Sequence, residues 1–205
     1  DETEINGQGP VITEEAINEL FAKLATLTKE DILVLAGSIP NTLPEDIYEK
    51  ILARLESKGI RVVVDATKDL LLNVLKYHPF LIKPNNHELG EMFGTVCKTD
   101  EDIVHYAKKL QEKGAVNVLI SMAGDGAILI TEDGQNIKMG TPKGKVVNSV
   151  GAGDSMVAGF ITGYIRGGNY EEALKSGTAA GSATAFSEGL ASLEMYEKML
   201  KQITE

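Results

Sequence analysis

Four short, unbroken apolar runs limit what this chain can become: Ile32-Leu33-Val34-Leu35-Ala36, Val62-Val63-Val64, Phe80-Leu81-Ile82 and Val118-Leu119-Ile120. None shows the polar alternation of a strand with one wet face, and each is shorter than a buried helix. They predict strands covered on both sides. Segments with helical apolar spacing lie between them, at 14–27, 45–58, 68–76, 86–93 and 100–113. Thr13 and Thr99 or Asp100 are placed to cap the first and last of these, Pro44 to start the second, and Gly59 and Gly114 to stop the second and last. A hairpin is expected over 127–131 and 136–138 around Asp133-Gly134, and further short strands at Thr3-Glu4-Ile5-Asn6 and 145–148. Beyond that point small residues alternate with apolar ones over 153–167 and 170–186, the texture of two closely packed central helices, and an amphipathic helix follows over 192–203. Strands alternating with helices predict an α/β fold, a mostly parallel sheet with helices on both faces, in one domain spanning 1–205.

Charge narrows the function. Acidic residues outnumber basic ones 30 to 20, so nucleic acid and anionic membrane surfaces are poor partners without a basic patch, and none is visible. One cysteine, Cys97, permits no intrachain disulfide, and His78, His87 and His105 have no zinc-type spacing; all four are expected to be structural or superficial. No apolar run approaches the roughly 18 residues of a membrane span, and the opening residues are polar and acidic. A soluble chain of the reducing cytoplasm is the expectation.

In such sheets ligands gather beyond the carboxyl ends of the strands. Here those ends are Gly37-Ser38, Asp65, Lys83-Pro84-Asn85 and the stretch from Ser121 to Gly126, so all four should open onto one crevice. The strongest local signal is Asn148-Ser149-Val150-Gly151-Ala152-Gly153-Asp154-Ser155, a glycine-rich turn running into a helix. Backbone amides there can converge on an anion, and the helix dipole adds positive potential. Asp154, in the first turn, is placed to take a proton from an attacking hydroxyl. It is equally a common first-turn helix acid. Neither Gly-x-x-x-x-Gly-Lys-Ser/Thr nor a strand-opening Gly-x-Gly-x-x-Gly is present, which argues against the usual nucleotide loops and against a dinucleotide oxidoreductase.

Gly151-Ala152-Gly153-Asp154 before a small-residue helix resembles the second signature of the ribokinase-like (PfkB) carbohydrate kinases. The likeness extends to Lys83-Pro84-Asn85-Asn86-His87-Glu88, which is similar to that family's Asn-x-x-Glu element. Ser121 to Gly126 resembles its nucleotide-binding turn, and Gly37-Ser38-Ile39-Pro40 its sugar-side loop. The four occur in family order and cover nearly the whole chain. The resemblance implies a three-layer α/β/α ribokinase-like fold and transfer of the γ-phosphoryl of ATP to a phosphorylated ketohexose. Fructose 1-phosphate is the first expected acceptor and tagatose 6-phosphate the next.

Position by position, the resemblance implies Asp154 as proton acceptor and Gly151, Ala152 and Gly153 as the anion hole. Lys83, Ser121, Ala123, Gly124, Asp125, Gly126 and Gly153 would bind ATP, Gly37 and Ser38 the sugar phosphate, and Asn85 and Glu88 a Mg²⁺ ion through water. The chain departs from the family at Ala123, where glycine is usual, and at Asn148-Ser149, which replaces an Asp-Thr pair and bears on a monovalent-cation site. The family's N-terminal strands and β-lid, with the dimer contact that the lid makes, have no counterpart here, so nucleotide binding with weak turnover is the expectation. A nucleotide-binding module without catalysis is the competing reading, and the presence of Asp154, Asn85 and Glu88 counts against it.

Overall fold

The computed structural model describes residues 9–204. The strand expected at Thr3-Glu4-Ile5-Asn6 lies outside them. Six strands form one sheet in sequence order: β1 (Ile32–Ala36), β2 (Arg61–Asp65), β3 (Leu81–Ile82), β4 (Asn117–Ser121), β5 (Ala127–Ile130) and β6 (Asn136–Met139). The first four run parallel and the last two antiparallel. Three of the four apolar runs are buried on both faces because helices cover both: Val63, Val64, Leu81, Ile82, Leu119 and Ile120 are fully inaccessible. The first run departs from the expectation: β1 is the edge strand among the described residues, and its Val34 is 41% exposed.

Alternate residues of each strand serve different cores, as the two-residue period requires. Val62, Val64, Ile82, Val118 and Ile120 pack toward α1 (Glu14–Ala25), α2 (Ile47–Leu55), α3 (Lys68–Val74), α4 (Asn86–Met92) and α5 (Asp100–Glu112). Val63, Leu81, Leu119 and Leu129 face α6 (Ala152–Gly167) and α7 (Tyr170–Ala185). A smaller cluster around Ala179, Ala183 and Met199 seats α8 (Leu193–Thr204) on α7. The result is the expected α/β/α sandwich.

Several boundaries follow from capping. The Thr13 hydroxyl accepts from the Ala16 amide, and Thr99 forms a reciprocal capping box with Asp102. The helix expected from residue 45 starts two residues later, since Pro44 contributes only a carbonyl that accepts from Ile47 N. The strand expected at 145–148 is absent. The amides of Val147 and Asn148 both donate to the Ala185 carbonyl at the end of α7, so this segment closes a helix terminus instead of joining the sheet.

Helices α6 and α7 approach closely through their small residues. A Cβ built on Gly159 would lie 2.6 Å from the Ser176 carbonyl oxygen, and one on Gly163 2.6 Å from that of Glu172. Gly159→Ala gains about 1 kcal/mol of helix propensity, yet the clash is with backbone, which cannot swing aside. We expect a net loss of roughly 1–3 kcal/mol, read as a fall of roughly 5 °C in the thermal midpoint by circular dichroism.

Candidate active site

Parallel pairing aligns the strand ends. Ala36 is opposite Asp65, Val64 is opposite Ile82, and Asn85 bridges to Ser121. The Gly37 amide donates to Asp65 O at 3.0 Å, Lys83 N to Val64 O at 3.3 Å and Ser121 N to Pro84 O at 3.2 Å. Gly37, Asp65, Lys83, Asn85 and Ser121 therefore occupy adjacent steps along one edge of the sheet, as the run endings predicted.

The N-terminus of α6 meets this edge. Gly151 adopts φ +79°, which a larger residue resists, and so turns the chain into the helix. The turn consumes one of the amides assigned to the anion hole: Ala152 N donates to Ser149 O at 3.1 Å. The next two, of Gly153 and Asp154, belong to the first helical turn, whose N–H groups point out along the axis. Beneath them lies Lys83, almost buried, its Nζ 3.2 Å from where a Cβ on Gly153 would stand.

Lys83 is paired. Its Nζ lies 3.2 Å from Asp65 Oδ2, with the two side chains 8% and 19% exposed. Burial pushes the Asp65 carboxyl above its ordinary value; Lys83 opposes this, and the negative charges of Asp154 and Glu88 add to it. Asp154 itself is exposed and free to meet a ligand.

Asn85 and Glu88 form the N-terminal capping box of α4. Asn85 Oδ1 accepts from Glu88 N, and Glu88 Oε2 from Asn85 N, both at 2.8 Å. Their structural duty leaves Glu88 Oε1 as the carboxylate oxygen for a cation. No cluster of three or more metal-ligating His, Cys, Asp or Glu side chains occurs among the described residues. One carboxylate oxygen nevertheless fits Mg²⁺, which keeps most of its waters and takes few protein ligands.

The turn after β4 is tightly made. Met122 N donates to Gly126 O, Asp125 N to Met122 O and Gly126 N to Ala123 O, so the Asp125 and Gly126 amides are committed internally. Gly126, at φ +92°, lies so near Met139 that a Cβ would be 1.9 Å from its carbonyl oxygen. Thr141 Oγ1 donates to Gly124 O at 2.8 Å, clipping the turn to the chain beyond β6. Among the residues expected to hold nucleotide, the Ser121 hydroxyl and the amides of Ala123 and Gly124 are the groups this bonding leaves for a ligand. Ala123 has φ +48°, which explains why glycine suits the position. Ala123→Gly is expected to relieve strain and raise stability by about 0.5–1 kcal/mol, or roughly 2 °C in the thermal midpoint.

On the sugar-side loop, Ser38 is exposed, and the Tyr48 hydroxyl donates to Ala36 O at 2.8 Å, holding the loop's entry. Sequence reasoning assigned no role to Tyr48, Thr141 or the Asp65 pairing. The last was accessible: Asp65 and Lys83 each follow directly the paired residues Val64 and Ile82. Cys97 is buried with its thiol pushed up by burial and by Asp102, and His78 Nδ1 lies 3.1 Å from Gly114 O, both as structural groups. No described helix is long and apolar enough to cross a membrane.

Known proteins resemble this chain in sequence and in fold. The profile described as "pfkB family carbohydrate kinase" matches residues 1–195. The chain is 50% identical over 203 residues to 1-phosphofructokinase of Bacillus subtilis, covering 99% of this chain and 67% of that protein. It is 36% identical to D-tagatose-1-phosphate kinase of Bacillus licheniformis, over 98% of this chain and 66% of the relative. The crystal structure of phosphofructokinase-2 from Escherichia coli in complex with substrates and products superposes with a TM-score of 0.90 at 26% identity, covering 98% and 66% of the two chains. The chain thus spans about two thirds of the length of these relatives.

Proposed function

We propose, for a chain that belongs to the pfkB family of carbohydrate kinases, transfer of the γ-phosphoryl group of Mg-ATP to a hydroxyl of a ketohexose 1-phosphate, with fructose 1-phosphate giving fructose 1,6-bisphosphate. The observation that carries this reading is the approach of the buried Lys83 ammonium, at a strand end, to Gly153 in the first turn of α6, where Asp154 is the next residue. Likeness to proteins named 1-phosphofructokinase and D-tagatose-1-phosphate kinase supports the acceptor class and favours 1-phosphates over the tagatose 6-phosphate alternative.

The Asp154 carboxylate receives the acceptor hydroxyl's proton as its oxygen approaches phosphorus. Charge spreading onto the transferring oxygens meets the Gly153 and Asp154 amides at the positive end of α6, with the Lys83 charge behind them. Because this positive environment is fixed before reaction, little reorganisation is required at the transition state. Ser121 and the Ala123 and Gly124 amides are available for the nucleotide, and Gly37 and Ser38 for the sugar phosphate. Glu88 Oε1, with Asn85 beside it, would hold hydrated Mg²⁺, whose charge shields the nucleotide phosphates.

The test is coupled ADP release with fructose 1-phosphate, tagatose 1-phosphate, fructose 6-phosphate and tagatose 6-phosphate. The two 1-phosphates are expected to give the highest kcat/KM. A preference for either 6-phosphate would refute the acceptor assignment, and ATP binding without turnover on any of the four would favour the non-catalytic module.

A further inference from the structure

We propose that Asp65 is a positioning residue for phosphate binding: its carboxylate holds the Lys83 ammonium at one point under the α6 N-terminus. The proposal rests on the nucleotide reading above and adds a residue to it. Lysine is a poor fixed charge by itself, a four-carbon stem with several rotatable bonds and about 2 kcal/mol of rotamer entropy. In this chain the side chain is buried, and its Nζ lies 3.2 Å from Asp65 Oδ2 and 3.2 Å from where a Cβ on Gly153 would stand. One of its three N–H donors is thereby committed sideways to β2, and the ammonium is kept from retreating along the sheet edge or rising into solvent.

The environment makes the carboxylate costly. Asp65 is mostly buried and faces the negative charges of Asp154 and Glu88, which together with burial raise its proton affinity. Tyr48, from α2, faces it as well, and its own hydroxyl is pushed up by burial and by Asp65. A well-packed apolar pair would be as stable as, or more stable than, a buried ion pair of this kind. Stability therefore gives little reason for an acid at this place, whereas fixing the height of a charge under Gly153 does. The absence of a side chain at Gly153 gives that charge a short path to whatever the amides hold.

The experiment is calorimetric titration of ATP, and of adenosine as the phosphate-free control, into the unaltered chain, Asp65→Asn, Lys83→Met and the double variant. Asp65→Asn is expected to weaken ATP about tenfold, the worth of roughly one charge-assisted hydrogen bond, and to leave adenosine unmoved. Lys83→Met weakens ATP at least as much, and adding Asp65→Asn to it brings no further loss. The double variant leaves no uncompensated charge and so remains informative if Asp65→Asn folds poorly. Unchanged ATP affinity in Asp65→Asn, equal loss for ATP and adenosine, or a double variant weaker than Lys83→Met would each overturn the proposal. If the unaltered chain itself binds no ATP, the nucleotide reading fails and this inference with it. Normal ATP binding with any of the three adverse results sinks the role of Asp65 alone.

Discussion

Asp154→Asn is expected to lower kcat by about 10³-fold, the usual worth of a positioned general base, while ATP affinity stays within about a factor of two. The two readings of Asp154 differ in magnitude enough to be separated. As a first-turn acid of α6 it contributes only about 0.3–1 kcal/mol through the helix dipole, so the substitution should move the thermal midpoint by no more than a few degrees. As the proton acceptor it accounts for about 4 kcal/mol of barrier lowering. Steady-state kinetics with saturating fructose 1-phosphate and a parallel melting curve decide between them. A variant that melts normally and still turns over near the unaltered rate would remove Asp154 from the chemistry.

The largest expected change in stability is that of Lys83→Met. Removing one partner of a buried pair leaves the other charge uncompensated, at a cost of about 3 kcal/mol, taken at the low end because Asp65 retains 19% exposure. This loss should depend on pH. Lys83 is the group that lowers the Asp65 carboxyl against burial, Asp154 and Glu88; without it the folded-state value rises further above that of the unfolded chain. A carboxyl whose folded value is raised binds more protons folded than unfolded, so stability falls as pH climbs through the interval between the two values. Lys83→Met should accordingly lie closest to the unaltered chain at the acidic end of that interval and furthest from it at neutral pH. Urea denaturation across the range measures this. A pH-independent difference would show that Asp65 does not carry the charge.

The sheet was legible because its evidence is local. Val62-Val63-Val64 or Val118-Leu119-Ile120 can satisfy a hydrophobic core on both faces only as a strand, and Thr13, Thr99 and Gly59 mark helix ends by chemistry confined to one turn. The errors arose where a distant partner decides. Residues 145–148 look extended, but what their amides bond to is the end of α7, some forty residues on. The alignment of the strand ends was legible from run endings, because parallel pairing brings them level. Which amides remain for a ligand was not: Ala152, Asp125 and Gly126 lose theirs to turn closure. Asn85 and Glu88 illustrate a further limit, since a capping box and a cation site use the same residue types at the same spacing, and here the first duty is visibly met.

Because Gly159 and Gly163 bring α6 against the backbone of α7 with no room for a methyl group, the helix bearing Asp154 is clamped along its length like a blade in a vice. Tilting it would require both helices to part and would open a void in the interior. Asp154 therefore stands on a fixed mount, and a ligand has to be brought to it rather than met by a swing of α6.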